Sequence, residues 1–207
     1  THHHNDHIGG NTVLKQAYGA AVIGPYAERA KIGNLDRAVQ EGDTVTFSDL
    51  RGQVIAVPGH TSGHIAFHFP GLPALFCGDA LFSLGCGRLF EGTAAEMWQS
   101  LQKIRALPPE TDIYCGHEYT EHFARFALML EKDSVPLLQK LRAVKTLRLA
   151  GKPTLPASLA EEIRLNPFLR VDQQDFQQTL IKHGFPVQGT DPAAVFAAIR
   201  SAKDRFQ

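Results

Sequence analysis

Four histidines and one aspartate stand within the first seven residues of the chain, in the segment Thr-His-His-His-Asn-Asp-His that ends at His7. Such a concentration of imidazole and carboxylate groups is costly to place in a folded protein unless a cation is bound to it. Imidazole nitrogen and carboxylate oxygen are ligands for zinc, iron and manganese. The segment therefore predicts a metal site around which the chain folds. The simpler alternative is the remnant of a purification tag, although a tag is usually an uninterrupted run of histidines.

The spacing within this segment sorts its side chains into groups. In an extended stretch successive side chains point to opposite faces, so we expect His2 and His4 to share a face and His3 to lie on the other. Asp6 and His7 would face a second point if the chain turns into a helix there. We therefore expect all of these residues except His3 to be metal ligands.

Three further residues of ligand type follow predicted β-strands, and each comes directly after a glycine that lets the backbone turn. They are His60 after strand 53–57, Asp79 after strand 74–77 and His117 after strand 112–115. If these strands are neighbours in one sheet, their ends and the N-terminal segment meet at one edge. Seven ligands are too many for one tetrahedral zinc, so the sequence favours two metals that share one carboxylate.

Taken singly, a histidine after a strand is usually a surface residue, and an aspartate after glycine is usually a turn residue. The coincidence of three such residues with the N-terminal segment is what favours a metal site. Four other histidines lack this context, and we expect hydrogen-bonding or solvent-facing roles for them. These are His64, His68, His122 and His183.

Charge and composition exclude several classes of partner. The formal net charge is zero and the pI is about 7.1, so there is no electrostatic case for nucleic acid or a membrane surface. Apolar runs are far too short to span a bilayer. Three cysteines, Cys77, Cys86 and Cys115, form no Cys-x-x-Cys pair, which argues against a disulfide scaffold and for a reducing compartment. We expect a cytoplasmic location.

The chain begins at Thr1, inside the ligand segment, without the strand that normally holds such a loop. We therefore expect a fragment that lacks an N-terminal part, which could have carried a targeting segment. For the same reason we expect His2 to be the least well anchored ligand.

Periodicity predicts a β-rich domain over 1–117 and a helical domain over 118–207. Alternating or β-branched runs predict strands up to residue 115, the first of them a buried strand over 20–25, while residues 26–42 and 79–92 are expected to be irregular. Helices are predicted after Gly10 and from Thr93, where Glu96 completes a capping box. Beyond Glu118, apolar residues recur at helical spacing through to Phe206. The fold class is therefore α+β.

Five motifs of the chain resemble the glyoxalase II (hydroxyacylglutathione hydrolase) family of the metallo-β-lactamase superfamily. They are Thr-His-His-His-Asn-Asp-His (1–7), Pro-Gly-His-Thr-Ser-Gly-His (58–64), Gly-Asp-Ala-Leu-Phe-Ser-Leu-Gly-Cys-Gly-Arg (78–88), Phe-Glu-Gly-Thr (90–93) and Tyr-Cys-Gly-His-Glu-Tyr-Thr (114–120). The helical part is similar too, through Asn-Pro-Phe-Leu-Arg (166–170) and Arg-Ser-Ala-Lys-Asp (200–204). The resemblance implies an αββα sandwich, here incomplete at its N-terminus, followed by an all-α substrate-binding domain.

The resemblance also implies how the ligands are shared. His2, His4 and His60 would bind one metal, and Asp6, His7 and His117 the other. Asp79 would bridge both metals, opposite a bridging hydroxide that attacks a thioester carbonyl. Asp6, Asp79 and His117 would thus be the catalytic residues. Two zinc ions are implied, with iron or manganese as alternatives.

The implied reaction is hydrolysis of S-D-lactoylglutathione to glutathione and D-lactate, the second step of methylglyoxal detoxification, by a monomeric enzyme. Glutathione carries carboxylates, which favour cationic partners. The family's glutathione contacts match Arg88, Tyr119, Arg200 and Lys203. Phe90 replaces a tyrosine of some relatives, which removes a hydroxyl contact.

Three alternatives remain open at this point. A glutathione persulfide dioxygenase of the same superfamily would use a single iron and generally lacks the helical tail. A β-lactamase or lactonase would need a different C-terminal region. A non-catalytic metal-binding domain would have closed coordination shells and no thioesterase activity.

Overall fold

The computed structural model describes residues 1–187 and 189–207. Within these residues the N-terminal part is β-rich and the C-terminal part helical, which confirms the predicted α+β class. The strands are β1 (Ile23–Pro25), β2 (Arg37–Val39), β3 (Thr44–Phe47), β4 (Leu50–Ala56), β5 (Ile65–Phe69), β6 (Ala74–Gly78), β7 (Leu81–Phe82), β8 (Gly85–Cys86), β9 (Asp112–Cys115) and β10 (Ala157–Ser158). The helices are α1 (Asn5–Ile8), α2 (Asn11–Tyr18), α3 (Arg29–Ile32), α4 (Ala94–Arg105), α5 (Thr120–Leu130), α6 (Val135–Leu149), α7 (Leu159–Leu165), α8 (Gln174–Lys182) and α9 (Pro192–Arg205).

The central sheet has six strands in the order β10-β9-β6-β5-β4-β3. Strands β3 to β6 form an antiparallel meander, and β9 then pairs in parallel with β6. Strands β4, β6 and β9 therefore point the same way, and their C-terminal ends lie at one edge of the sheet. This arrangement brings together the three loops that follow them.

The helix predicted from Thr93 begins there. The Thr93 hydroxyl accepts a hydrogen bond from the backbone N–H of Glu96, and the Glu96 carboxylate accepts one from the N–H of Thr93. This capping box starts α4, which buries Met97, Leu101 and Ile104 against the core. Sequence alone placed this element well because both of its signals are local.

Two predictions in the β-rich part need correction. The buried strand predicted from Ala20 begins only at Ile23, since Ala20 and Ala21 are exposed. Its partner β2 and the hairpin of β7 and β8 were expected to be irregular. All three of these unpredicted strands have only two or three residues, too few for a periodic pattern to reveal.

One hydrophobic core runs through both parts of the chain. It joins Leu75 and Met97 of the β-rich part to Phe168 and Phe196 of the helical part. Strand β10 also comes from beyond residue 117, yet it pairs with β9 at the edge of the central sheet. The division at residue 117 stays a prediction. Among the described residues, no helix combines the length and apolar character that crossing a bilayer requires.

Candidate metal centre

The N-terminal segment lies at the edge of the sheet where β4, β6 and β9 end. The carbonyl of Thr1 accepts a hydrogen bond of 3.0 Å from the backbone N–H of Ile65, the first residue of β5. Because β5 is antiparallel to its neighbours, its start lies at the same edge as their ends. The predicted convergence of the segment with the three strand ends is what the structure shows.

A turn of helix splits the segment into two groups, as expected. His4 is the extended N-cap residue of α1, and its carbonyl accepts the N–H of His7 at 2.9 Å. Side chains before and after this turn therefore fall into two groups, which adjoin where the His2 and His7 rings lie 4.2 Å apart. We call His2, His4 and His60 the first cluster, and Asp6, His7 and His117 the second cluster.

In the first cluster three imidazole nitrogens converge. Nδ1 of His4 lies 3.1 Å from Nε2 of His2 and 3.0 Å from Nε2 of His60. Burial lowers the pKa of His2 and of His60, although a hydrogen bond to the Arg88 carbonyl raises that of His60 in part. These rings are therefore held neutral, which is the form that coordinates a metal.

The second cluster is more open to solvent. Nε2 of His117 lies 3.2 Å from Nε2 of His7 and 3.0 Å from Oδ2 of Asp6. Burial lowers the pKa of His7 as well. Two imidazoles and one carboxylate thus face a common point, which matches the ligand chemistry of a second cation.

Asp79 lies between the two clusters. Its Oδ1 is 3.3 Å from Nε2 of His7, while its Oδ2 is 3.6 Å from Nε2 of both His60 and His117. The side chain is buried, and Oδ1 has no hydrogen-bond partner among the described residues. A buried carboxylate oxygen without a donor is the exception in folded proteins and fits a bound cation. The seven residues together therefore fit two metal ions that share Asp79.

The expectation that His2 is the least well anchored ligand is wrong. His2 is 1% exposed, the lowest value among the seven. Its ring stacks on that of His64 at 4.6 Å. His64 in turn accepts the backbone N–H of Asp79 at Nε2, 3.1 Å away. The His2 ring is therefore held by packing within the sheet edge.

His3 turns away from both clusters, as alternation predicted, and its Nδ1 donates to Oε2 of Glu28 at 2.8 Å. Three of the other histidines make hydrogen bonds, as expected, whereas His68 is buried and its Nδ1 has no hydrogen-bond partner among the described residues. Of the three, His64 accepts a hydrogen bond from the backbone of Asp79, and His122 accepts one from Lys203. The contact of His64 with Asp79 joins residues that are 15 positions apart, so local sequence gave no signal for it.

A cavity of about 690 Å³ opens beside the ligands. Residues of both clusters line it, and Phe82, Phe90 and Phe123 contribute apolar surface. Tyr119 stacks on the His117 ring with centroids 5.1 Å apart. All four predicted substrate contacts line this cavity: Arg88, Tyr119, Arg200 and Lys203.

The three cations of the cavity differ in how they are held. Arg200 is buried and donates to the carbonyl of Cys86 and to Asp204, while its buried Nε has no partner among the described residues. Lys203 is buried too, and its pKa is lowered by burial and by the nearby Arg200 and Arg88. The Arg88 side chain is mostly exposed. An anionic ligand would thus meet two buried positive charges and one exposed positive charge.

The fold and these clusters agree with the family models that the chain matches. Residues 1–117 match the model described as the metallo-beta-lactamase superfamily. Residues 118–206 match the model described as the hydroxyacylglutathione hydrolase C-terminus. The chain therefore belongs to the hydroxyacylglutathione hydrolase family within that superfamily.

Proteins named hydroxyacylglutathione hydrolase are similar to this chain over its whole length. The hydroxyacylglutathione hydrolase of Rhodospirillum rubrum is 50% identical over 206 residues, covering 100% of this chain and 78% of the relative. That of Methylococcus capsulatus is 46% identical over 207 residues, covering 100% and 79%.

Two solved structures share the fold. ETHE1 from Myxococcus xanthus has a TM-score of 0.60 and 27% identity, covering 100% of this chain and 76% of that one. TTHA1623 in a di-iron-bound form has a TM-score of 0.53 and 26% identity, covering 82% and 75%. The second structure shows that a relative of this fold holds two metal ions.

Proposed function

We propose that this chain hydrolyses S-D-lactoylglutathione, a 2-hydroxyacylglutathione thioester, to glutathione and D-lactate. The single observation that carries the proposal is that residues of both ligand clusters and the cations Arg200 and Lys203 line one cavity. A glutathione thioester has the matching shape, since its reacting carbonyl and its carboxylates lie at different points of one molecule. The reaction is the second step of methylglyoxal detoxification.

The two clusters indicate which residues would bind each metal ion. His2, His4 and His60 would hold one divalent cation and Asp6, His7 and His117 the other, with Asp79 contacting both. We propose zinc, with iron or manganese as alternatives, because imidazole and carboxylate suit all three. When bound, such ions supply a hydroxide nucleophile at neutral pH and a Lewis acid for the thioester carbonyl.

The residues of the chain supply charge balance, binding and orientation. The carboxylates of Asp6 and Asp79 offset part of the charge of the cations, and His117 fixes the position of Asp6 through the 3.0 Å contact. Lys203, Arg200 and Arg88 would bind the carboxylates of glutathione, and the Tyr119 hydroxyl would contact the substrate beside the second cluster. The leaving thiolate is stable near neutral pH and needs little assistance from an acid.

No cysteine is suited to act as a nucleophile in this reaction. Burial raises the pKa of the Cys77 thiol and raises that of Cys86 and of Cys115 to about 11. The reactive form of cysteine is the thiolate, which these thiols do not form near neutral pH. The nucleophile would therefore come from the metal ions that the two clusters would hold, and not from a cysteine.

We further propose a monomeric, cytoplasmic enzyme with a metal-binding domain over 1–117 and a substrate-binding domain over 118–207. The free thiols of all three cysteines support a reducing location. The extents of the two matching family models support the division at residue 117.

The test is hydrolysis of S-D-lactoylglutathione by the purified chain with zinc present, followed by the ultraviolet absorbance of the thioester. The match of residues 118–206 to the hydroxyacylglutathione hydrolase C-terminus disfavours the persulfide dioxygenase. A non-catalytic metal-binding domain would bind zinc and leave the thioester intact.

A further inference from the structure

Glu28 is a buried carboxylate that belongs to neither ligand cluster. Its side chain is 2% exposed and lies at the end of the short 3-10 turn that follows β1. Oε2 accepts a hydrogen bond of 2.8 Å from Nδ1 of His3, and Oε1 accepts one of 2.9 Å from the backbone N–H of Gly63. One carboxylate thus joins two segments that are 60 residues apart in sequence.

Both segments carry ligands of the first cluster. His3 stands between His2 and His4, and Gly63 follows His60 in the same loop. The loop also approaches Glu28 closely, because a Cβ at Gly63 would lie 2.5 Å from Cγ of Glu28. The separation of the two ligand-bearing segments is therefore set at Glu28.

A second carboxylate supports the same arrangement. Oε2 of Glu91 accepts hydrogen bonds from the backbone N–H and the hydroxyl of Ser62, at 2.8 and 2.9 Å. Oε1 of Glu91 pairs with Lys31 at 2.7 Å and lies 3.4 Å from Nε2 of His3. The His3 ring is thus held between two carboxylates.

The group of His3, Glu28 and Glu91 is not a third metal site. Its ligand atoms lie within 4.8 Å of one another. Each carboxylate oxygen, however, already accepts a hydrogen bond or an ion pair from the chain. This differs from Oδ1 of Asp79, which has no hydrogen-bond partner among the described residues. The hydrogen-bonding capacity of the group is therefore filled without a cation. We infer that the group supports the first cluster beside it.

We propose that Glu28 is a positioning residue for the first cluster: it holds the segment of His2 and His4 against the loop of His60 before a metal binds. The inference rests on the proposed metal-binding function of that cluster. Loss of a hydrogen bond made directly to a metal ligand typically weakens metal binding by about 10- to 100-fold. Glu28 holds the ligands through His3 and Gly63, and we expect a loss of the same order. The effect should fall on one of the two metals.

The test is the zinc affinity of the full chain, measured by competition with a chromogenic chelator, for Glu28→Ala and a matched control. The control is Glu131→Ala, which removes another buried carboxylate, bonded to Arg170 far from the ligands. We expect Glu28→Ala to weaken one of two zinc sites about 10- to 100-fold and to leave the other unchanged. We expect Glu131→Ala to leave both sites unchanged.

The affected site is identified by repeating the measurement with one cluster disabled. In a His117→Ala background the first cluster keeps its ligands, so the loss caused by Glu28→Ala should persist. In a His60→Ala background the loss should disappear. If Glu28→Ala does not fold, Glu28→Gln, which keeps the size and removes the charge, should show a smaller loss at the same site.

Three results would overturn the inference: unchanged affinity in both Glu28 variants, equal loss at both sites, or an equal loss in the Glu131 control. A wild-type chain that binds fewer than two zinc ions would contradict the proposed function instead. The two failures are therefore distinguishable in one titration series.

Discussion

Nζ of Lys203 lies 2.7 Å from Nε2 of His122, and both residues line the cavity beside the proposed metal ligands. An ammonium group is a donor only, so Nε2 of His122 must accept, and the imidazole is neutral. The contact ties helix α9 to helix α5 and aims a buried charge into the cavity. The hydrogen bond to His122 therefore fixes the position of the Lys203 ammonium group, which we propose binds the substrate.

Replacing Lys203 by methionine should mainly weaken substrate binding. A charge-assisted hydrogen bond contributes about 1.5–3 kcal/mol, so KM should rise about tenfold or more while kcat changes little. Lys182→Met is the control, because Lys182 is exposed and pairs only with Asp133 among the described residues. Steady-state kinetics with S-D-lactoylglutathione checks this. An unchanged KM would remove Lys203 from the substrate site.

Replacing Asp79 by asparagine should prevent the chain from holding two metal ions at once. The amide keeps the shape of the side chain but removes the charge that both clusters face. Zinc content after dialysis should fall below two per chain, and activity should fall with it. Asp112→Asn, an exposed residue in β9, is the control. Two tightly held zinc ions in Asp79→Asn would show that Asp79 is not shared.

Gly116 should tolerate no side chain. A Cβ there would lie 2.3 Å from Oδ1 of Asp79 and 2.6 Å from Cε1 of His7, so Gly116→Ala must displace two ligands. Zinc affinity and activity should both be lost. Gly71→Ala, whose Cβ would meet nothing closer than 3.9 Å, should bind zinc normally. If Gly116→Ala bound zinc as the wild-type does, the close packing of these ligands would be in error.

The buried Glu162 should make stability depend on pH. Burial raises its pKa from 4.5 to about 7, although Leu84, Asn166 and Ser83 donate hydrogen bonds to it. The folded state therefore binds a proton more tightly than the unfolded state. Its contribution is fully present below about pH 4.5 and is lost as pH rises through about 7.

The measurement compares the metal-free wild-type chain with Glu162→Gln by denaturant unfolding at several pH values. Histidines also titrate in this range, but their contributions cancel in the difference. We expect the wild-type advantage over the variant to shrink by about 2–3 kcal/mol between about pH 5 and about pH 8. A difference that stays constant would mean that Glu162 does not titrate there.

The convergence of the proposed metal ligands was predictable from sequence because each signal is local. His60, Asp79 and His117 each follow a glycine at the end of a β-branched or apolar run. The topology then places all three strands in one direction, which sequence suggested but did not establish. Their role as ligands remains a proposal.

The supporting residues were not predictable because their contacts span long stretches of sequence. Glu28 and His3 are 25 residues apart, and Lys203 and His122 are 81 apart. Charged residues on a helix are usually exposed, so residue type alone would place the Arg200 and Lys203 side chains in solvent. Both side chains are instead buried. Only the resemblance to the family pointed to those two cations.

The central claim is that two metal ions held at these clusters make the chain a glutathione thioesterase. The most direct measurement is the rate of S-D-lactoylglutathione hydrolysis by the zinc-loaded chain, by the chain stripped with a chelator, and by the stripped chain after zinc is restored. We predict hydrolysis, its loss on stripping, and its recovery at two zinc ions per chain. Full activity of the metal-free chain, or none from a chain carrying both zinc ions, would contradict the account.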